Sequence, residues 1–422
     1  MKVAVYTLGC KVNIYESEYV TSLLKKHNYE IVDFNSYADI YIINTCTVTN
    51  ESDRKDRKII NQAKKLNKDA IIVVMGCYSQ VSPEDIEADI IIGNKDKSKI
   101  INLLEEQLQS KKQIKKVYNL SKTEFETMTI DKFENHTRAF VKIQDGCNAF
   151  CSYCIIPYAR GGLRSKDEQE TVEEITALVN NGYKEIVLTG IHTGRYGIEK
   201  GTSLEQLLNK LVKIPNIFRI RLSSIEINEI TEGIIELIKN NKIMAKHLHI
   251  PLQSGSDKIL KLMNRKYDLN YFIDKIEYIR KKIPDISITT DLIVGFPNET
   301  EDDFKETLNT LEQIKFTKIH TFPYSKRKGT PAATMNNQVL GDIKKQRVHK
   351  VLEISNKYEL EFYKKNINKE YEVITELRKN GICVGFTSNY IPVIIEEKLE
   401  NEVINIKINK VESIDSVYGI IK

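Results

Sequence analysis

The chain has 422 residues, of which 41% are hydrophobic and 29% charged, and its 63 Lys and Arg against 58 Asp and Glu give a formal net charge of +5. The composition is that of a globular protein, and the length predicts two or three domains. No apolar run approaches the ~20 residues of a membrane span. Because Met1 leads into a predicted strand rather than a secretory signal, we expect a cytoplasmic protein without membrane contact.

Residues 1–110 alternate apolar runs with polar, helix-like segments. The predicted strands are Val3–Leu8, Ile40–Asn44 and Ala70–Met75. Buried strands that alternate with helices indicate α/β architecture with a doubly wound parallel sheet. The Lys-rich stretch 109–116 and the polar residues that follow it predict a linker to the next domain.

Residues 133–366 repeat the alternation at longer spacing, which predicts an open, partial (β/α)6 barrel with its chemistry at the C-terminal ends of the strands. The strand candidates are Ala139–Gln144, Glu185–Thr189, Arg219–Ser223, His247–Leu252, Ser287–Val294 and Lys318–Phe322. Residues 367–422 contain several short strand-like runs separated by polar turns, which predict a small antiparallel β-barrel. These runs are Tyr371–Glu376, Val384–Thr387, Ile391–Ile395, Val403–Ile408 and Ser416–Ile420.

Three cysteines, Cys147, Cys151 and Cys154, follow the first strand of the predicted partial barrel with C-x3-C-x2-C spacing. Thiolates this close in sequence can converge on one inorganic centre. With no fourth cysteine nearby, a 4Fe–4S cluster would keep one iron open for a substrate. The alternative is a zinc ion completed by a distant ligand such as His136 or His192.

Three further cysteines, Cys10, Cys46 and Cys77, each follow an apolar strand and are separated by about one βα unit. Because the C-terminal ends of parallel strands meet at one edge of a sheet, these thiols can hold a second cluster there. The alternative is that they are small buried apolar residues. Cys383 lies in a strand-like run near the C-terminus, and we interpret it as structural.

The C-x3-C-x2-C motif resembles the signature of the radical S-adenosylmethionine (SAM) superfamily. The two cysteine triads in this order, followed by a small barrel, resemble the methylthiotransferase family along essentially the whole chain. The resemblance implies an N-terminal methylthiotransferase domain (1–110), a radical SAM core (133–366) and a TRAM-type RNA-binding domain (367–422). It also implies two 4Fe–4S clusters and SAM, which is cleaved by one electron to methionine and a 5′-deoxyadenosyl radical.

The same resemblance implies which residues contact SAM. Tyr153 occupies the aromatic position between the last two cysteines of the motif, and four later motifs follow successive strands. The implied cofactor-binding residues are Tyr153, Gly190, Ser223, Gln253, Val294 and Gly295. Taken singly these motifs also suit turns or helix caps. His247 and His249 share one strand face and suit either packing or a site.

Within the family, the opening Thr7–Ser17 and the segments Ile155–Arg160 and Asn389–Val393 resemble the branch that acts on N6-threonylcarbamoyladenosine at position 37 of tRNA, beside the anticodon. The implied reaction replaces the C2 hydrogen of this base with a methylthio group. Gly161–Arg164 departs from the pattern of this branch, in which a basic residue is expected nearer Gly162. The alternatives are N6-isopentenyladenosine, a ribosomal-protein aspartate, or a noncatalytic iron–sulfur RNA-binding protein.

The implied partners are tRNA and a low-potential electron donor of the flavodoxin or ferredoxin type. The C-terminal barrel would bind the tRNA, with Tyr390 either stacking on a base or buried in the barrel. We expect a monomer. The sequence identifies neither the sulfur source nor a catalytic acid or base.

Overall fold

The structure is a computed structural model that describes residues 1–133, 137–377 and 382–422. The N-terminal unit contains six strands: β1 (Lys2–Thr7), β2 (Glu30–Val32), β3 (Ile40–Thr45), β4 (Ile71–Gly76), β5 (Ile90–Ile92) and β6 (Ile114–Lys116). They form one parallel sheet in the order β2-β1-β3-β4-β5-β6. The three strands predicted from sequence correspond to β1, β3 and β4, which are the longest of the six.

Helices cover both faces of this sheet: α1 (Lys11–Lys26), α2 (Asn50–Leu66), α3 (Cys77–Val81) and α4 (Ile100–Ser110). On one face, Leu24 of α1 and Leu104 of α4 share a core with Ile42 of β3. On the other face, Ile60 of α2 shares a core with Ile43. Neighbouring residues of β3 therefore pack into the cores on opposite faces of the sheet, as the alternation of side chains along a strand requires. The predicted doubly wound sheet is confirmed.

The predicted linker over 109–116 contains a strand. Ile114 of β6 lies opposite Ile90 of β5 in a parallel pair, and its side chain is buried. One apolar residue among lysines is too weak a pattern to predict a strand. The segment forms a strand because it pairs with β5. The sheet thus continues past residue 110, whereas the domain limits 1–110, 133–366 and 367–422 stay a prediction.

The central unit contains eight strands: β7 (Arg138–Lys142), β8 (Gln144–Asp145), β9 (Arg164–Ser165), β10 (Glu185–Thr189), β11 (Arg219–Leu222), β12 (His247–His249), β13 (Ser287–Val294) and β14 (Lys318–Pro323). One parallel sheet has the order β11-β10-β7 and another β12-β13-β14. Single parallel bridges, Ile220 with Met244 and Ser224 with His249, join the two sheets. The predicted open barrel of six parallel strands is confirmed. β12 is shorter than predicted, and Pro251, which lacks an N–H group, follows it closely.

The remaining helices are α5 (Ile156–Arg160), α6 (Glu168–Asn180), α7 (Leu204–Leu211), α8 (Glu232–Asn240), α9 (Asp257–Leu262), α10 (Leu269–Lys282), α11 (Glu301–Ile314) and α12 (Gly341–Lys364). Capping side chains fix where several of them begin. Asp167, for example, accepts hydrogen bonds from the backbone N–H groups of Gln169 and Glu170 at the start of α6. Among the helices of the described residues, none has the length and apolar character needed to cross a membrane.

The C-terminal unit is a closed barrel of five strands: β15 (Glu370–Leu377), β16 (Cys383–Phe386), β17 (Pro392–Ile395), β18 (Val403–Ser413) and β19 (Ser416–Ile421). The order around the barrel is β15-β16-β17-β19-β18. Its pairs are antiparallel except for β17 and β19, where Ile394 lies opposite Tyr418 in the parallel sense. The predicted small barrel is confirmed, with this one exception in strand direction.

Buried guanidinium groups attach the C-terminal barrel to the central unit. Arg219 of β11 donates to the carbonyl oxygens of Phe386 (2.8 Å) and Glu372 (2.9 Å). Arg221 donates to the Glu185 carboxylate (2.9 Å), which also lies 3.2 Å from Arg219. Burial alone would raise the pKa of Glu185, but Arg221 and Arg219 outweigh burial and lower it from 4.5 to about 2. One carboxylate is therefore shared by the guanidiniums that hold the barrel.

We expect Glu185→Gln to destabilise this junction by about 3 kcal/mol or more, because it leaves buried guanidiniums without their counter-charge. Urea unfolding and hydrogen exchange in the C-terminal barrel measure the effect. Since folding lowers the pKa of Glu185, its contribution is complete above about pH 4.5 and is lost as the pH falls towards 2. The difference in the free energy of unfolding between wild type and variant must therefore become smaller as the pH falls over that interval. The exposed Glu51→Gln is the control, and equal losses from both variants would contradict the assignment.

Candidate active site

The first cysteine triad lies at the C-terminal edge of the N-terminal sheet. Cys10 caps α1, Cys46 follows β3 directly, and Cys77 begins α3 after β4. The backbone at Gly9 has φ of +105°, and a Cβ there would lie 3.0 Å from the Cβ of Cys46. Glycine thus permits the close approach of two of the cysteines. Burial, followed by the nearby Cys77 and Cys10 thiols, raises the pKa of Cys46 to about 12. The structure therefore brings the three predicted cysteines together.

The second triad lies on the loop between β8 and β9. The backbone N–H of Cys147 donates to the carbonyl oxygen of Gly161 (2.9 Å), and that of Cys154 donates to Cys151 (3.0 Å). These bonds curl the loop so that its thiols converge. Burial is the main cause that raises the pKa of Cys154 to about 12, and the Cys151 and Cys147 thiols add to it. This loop stands at the C-terminal end of β7, where a barrel of this kind carries its chemistry.

Both triads fit an iron–sulfur cluster because each offers three thiols together with N–H donors aimed at sulfur. Arg160 Nε and Asn94 Nδ2 donate to Cys77 Sγ at 3.3 and 3.4 Å. Arg265 Nη1 donates to Cys151 Sγ at 3.4 Å. Hydrogen bonds to ligating sulfur orient the ligand and tune the potential of such centres.

The zinc alternative named His136 and His192 as examples of a distant fourth ligand. His136 lies outside the described residues. His192 has its Nδ1 3.3 Å from Cys147 Sγ, while its Nε2 lies 2.8 Å from Glu229. In the described part of the chain, no group of three His, Cys, Asp or Glu side chains is arranged to hold a single metal ion.

A cavity of about 1020 Å³ reaches Cys10 of the first triad and all three cysteines of the second, and it is lined by residues of all three units. Cys10 faces it from the N-terminal unit and Cys147, Cys151 and Cys154 from the central unit, while Phe386, Tyr390 and Pro392 belong to the C-terminal unit. Four of the predicted SAM contacts also line the cavity: Tyr153, Gly190, Ser223 and Gln253. One space therefore adjoins both candidate cluster sites and most of the predicted cofactor contacts.

Val294 and Gly295 do not line this cavity. Val294 is fully buried, and the backbone N–H of Gly295 donates to the Glu299 carboxylate. A side chain at Gly295 would meet Lys344 Cγ at 2.4 Å, so close packing against α12 accounts for this glycine. A role for these two residues in binding adenosine stays a prediction that the cavity does not support.

Tyr390 is not an exposed stacking platform. Its ring stacks on Phe386 with centroids 5.4 Å apart and lies 4.8 Å from the ring of His247. His247 and His249 both line the cavity, and each has a ring nitrogen within 3.1 Å of Thr289 Oγ1. Their shared strand face is thus part of the site rather than of the packed core.

Sequence reasoning missed a buried network of charges between the two triads. Arg160, fully buried on α5, donates to Glu16 (2.8 Å) and Asn13 (2.7 Å) of α1 as well as to Cys77. Lys97 and Lys142 also pair with Glu16, at 2.9 and 2.7 Å. Burial favours the neutral acid, but Arg160 and the two lysines outweigh it and hold the pKa of Glu16 well below its usual range. Nothing in the local sequence pattern distinguishes Arg160 from a surface arginine.

Comparisons with known proteins agree with this geometry. The radical SAM superfamily profile matches residues 141–311, and that of the uncharacterized protein family UPF0004 matches residues 2–117. The radical SAM methyltransferase TsrM from Kitasatospora setae, solved with cobalamin and a [4Fe-4S] cluster, has a similar fold. Its TM-score is 0.58 at 14% identity, over 79% of this chain and 77% of that one. Fold and site together define a radical SAM enzyme.

Two curated relatives narrow the class. The threonylcarbamoyladenosine tRNA methylthiotransferase MtaB of Bacillus subtilis is 43% identical, over 97% of this chain and 94% of its own length. The tRNA-2-methylthio-N(6)-dimethylallyladenosine synthase of Clostridium perfringens is 34% identical, over 99% and 97%. The chain belongs to the radical SAM methylthiotransferase family, whose chemistry uses SAM and a 4Fe–4S cluster.

We expect Arg160→Met to destabilise the contact between the N-terminal and central units by about 3 kcal/mol, because breaking a buried ion-pair network leaves charge uncompensated. Urea unfolding measures this loss, and iron bound per chain reports whether the first triad keeps its geometry. Arg54→Met removes an exposed arginine whose ion pair, in the described part of the chain, is with Glu51 across one turn of α2. It should change stability by about 0.5 kcal/mol at most. Equal stability of the two variants would contradict the network.

Proposed function

We propose that this protein is a tRNA methylthiotransferase that converts N6-threonylcarbamoyladenosine at position 37 into its 2-methylthio derivative. The supporting observation is the single cavity that adjoins both cysteine triads, since transfer of a methylthio group requires a sulfur-bearing centre and a radical source beside one base. The higher identity to the threonylcarbamoyladenosine enzyme than to the dimethylallyladenosine enzyme favours this substrate.

We assign one 4Fe–4S cluster to each triad, with three thiolate ligands and one open iron apiece. The ligands would be Cys10, Cys46 and Cys77 at the first site and Cys147, Cys151 and Cys154 at the second. When bound, these clusters and SAM supply the sulfur and the one-electron chemistry that an unactivated C2–H bond requires. Tyr153, Gly190, Ser223 and Gln253 would orient SAM in the cavity, and the enclosing walls would exclude water from the reacting atoms.

The C-terminal barrel would bind the tRNA and present the base to the cavity through the face that carries Phe386 and Tyr390. A low-potential flavodoxin or ferredoxin would deliver electrons, and the protein would act as a monomer in the cytoplasm, where tRNA is modified. These partners follow from the proposed reaction rather than from any contact within the chain.

Deletion of the gene tests the reaction and the substrate together. We expect 2-methylthio-N6-threonylcarbamoyladenosine to disappear from total tRNA and its unthiolated precursor to accumulate, as measured by mass spectrometry of nucleosides. Loss of a 2-methylthio derivative of isopentenyladenosine instead would transfer the assignment to the other tRNA substrate. If neither nucleoside changes, the function proposed here is wrong.

Cysteine variants separate the roles of the triads. Cys10→Ala should retain cleavage of SAM by the reduced enzyme but lose methylthiolation, because only the first site is damaged. Cys151→Ala should lose both activities. Cys383→Ala is the matched control, because this thiol lies in the C-terminal barrel and contacts the carbonyl oxygen of Leu399 at 3.2 Å. Wild-type methylthiolation by Cys10→Ala would contradict the two-cluster assignment.

A further inference from the structure

Within the described part of the chain, Lys11 is a cation without a counter-ion at the wall of the cavity. It is the first residue of α1 and lines the cavity beside Cys10. Its ammonium has no hydrogen-bond or ion-pair partner among residues 1–133, 137–377 and 382–422. Other lysines in the interior are paired, as Lys97 and Lys142 are with Glu16. Lys318, which also lines the cavity, donates to Glu359 at 2.9 Å.

The surroundings of Lys11 add positive charge instead of cancelling it. Tyr390 lines the same cavity. Arg138 Nη1 donates to the Tyr390 hydroxyl at 3.3 Å, and the Arg221 guanidinium lies 4.4 Å from the centre of the tyrosine ring. The nearby acid Glu185 is already shared by Arg138, Arg219 and Arg221.

The Tyr390 hydroxyl can donate a hydrogen bond to a ligand in the cavity. Because its oxygen accepts the hydrogen bond from Arg138, its own hydrogen is free to point elsewhere. A hydroxyl donor and an ammonium at the same wall, backed by guanidinium groups, suit an anion with two oxygen atoms.

We propose that Lys11 and the Tyr390 hydroxyl bind the carboxylate of a substrate base that carries an amino acid. The inference rests on the proposed function, because threonine joined through its nitrogen to the carbamoyl group keeps a free α-carboxylate. An anion at this position would compensate the charge of Lys11 at the cavity wall.

The same pair explains discrimination against an apolar base modification. A dimethylallyl group would cover Lys11 without neutralising it, and an enclosed unpaired charge is costly. A site built to pair a polar group rejects the analogue that lacks it far more strongly than an apolar pocket rejects a missing methylene. The subsite would therefore discriminate between modified adenosines in two ways: it pairs with a carboxylate, and an apolar group leaves Lys11 covered and unpaired.

The test uses the full-length, cluster-reconstituted enzyme and three anticodon stem-loops. One carries N6-threonylcarbamoyladenosine, the second its neutral methyl ester and the third unmodified adenosine. Binding is measured by fluorescence anisotropy for all three, and kcat/KM is measured for the first two. For Lys11→Gln we expect a loss of roughly 30-fold or more with the carboxylate stem-loop, and little change with the ester or with adenosine.

Tyr390→Phe should show the same selective loss to a smaller degree, and it lies far in sequence from the cysteine next to Lys11. Iron content and SAM cleavage of Lys11→Gln show whether the first triad is intact. Lys26→Gln, at the exposed end of α1, is the control for changes to the helix.

Two results would overturn the subsite. If Lys11→Gln weakens all three stem-loops equally, its partner is a backbone phosphate rather than the carboxylate. If both variants keep the wild-type preference for the carboxylate over the ester, no such contact exists. A third result would separate the two proposals. If the wild-type enzyme binds the carboxylate stem-loop selectively but does not methylthiolate it, the proposed function is wrong and the subsite is supported.

Discussion

The buried guanidinium of Arg160 joins the two halves of the candidate active site. A charge removed from water must be met by partners on every side, and those of Arg160 come from both units: Glu16 and Asn13 on α1, Cys77 at the edge of the N-terminal sheet, and Asp145 beside the second cysteine loop. Satisfying this one group therefore fixes the orientation of the N-terminal sheet against the open barrel. This orientation brings the two triads to the same cavity.

A second set of buried charges closes the cavity from the C-terminal side. Glu185 lies at the start of β10, on a central strand of the partial barrel, and its carboxylate holds Arg219 and Arg221 where they can reach carbonyl oxygens of the C-terminal barrel. The result is that Tyr390 enters the cavity wall. The C-terminal barrel thereby contributes side chains to the cavity that the cysteines also line, and under the proposed function this would couple substrate recognition to the chemistry.

Much of the architecture could be predicted because its strands correspond to local patterns of apolar residues. The strands of the open barrel appear as apolar runs at βα spacing, and Ser287–Val294 has the same bounds in prediction and structure. Cysteines that follow successive strands were expected at one sheet edge, and the structure brings them there. The predicted linker over 109–116 was wrong where β6 begins, because Ile114 is a single apolar residue among lysines. The SAM contacts at Val294 and Gly295 stay a prediction.

The sequence by itself indicated the class of chemistry, because its C-x3-C-x2-C motif resembles the radical SAM signature, whereas the spacing alone also allowed zinc. It also indicated the order of the three units, because the strand spacing differs between the first two units and the third has only short strand-like runs. Only the tertiary structure decided which charged residues matter. The contacts of Arg160, Glu185 and Lys11 are not visible in the sequence pattern around them. Their roles arise from burial and from partners that are distant along the chain, as when Arg160 reaches Glu16 and Glu185 reaches Arg221. Electrostatic free energy depends on the distance and the dielectric environment between groups, which one-dimensional spacing does not encode.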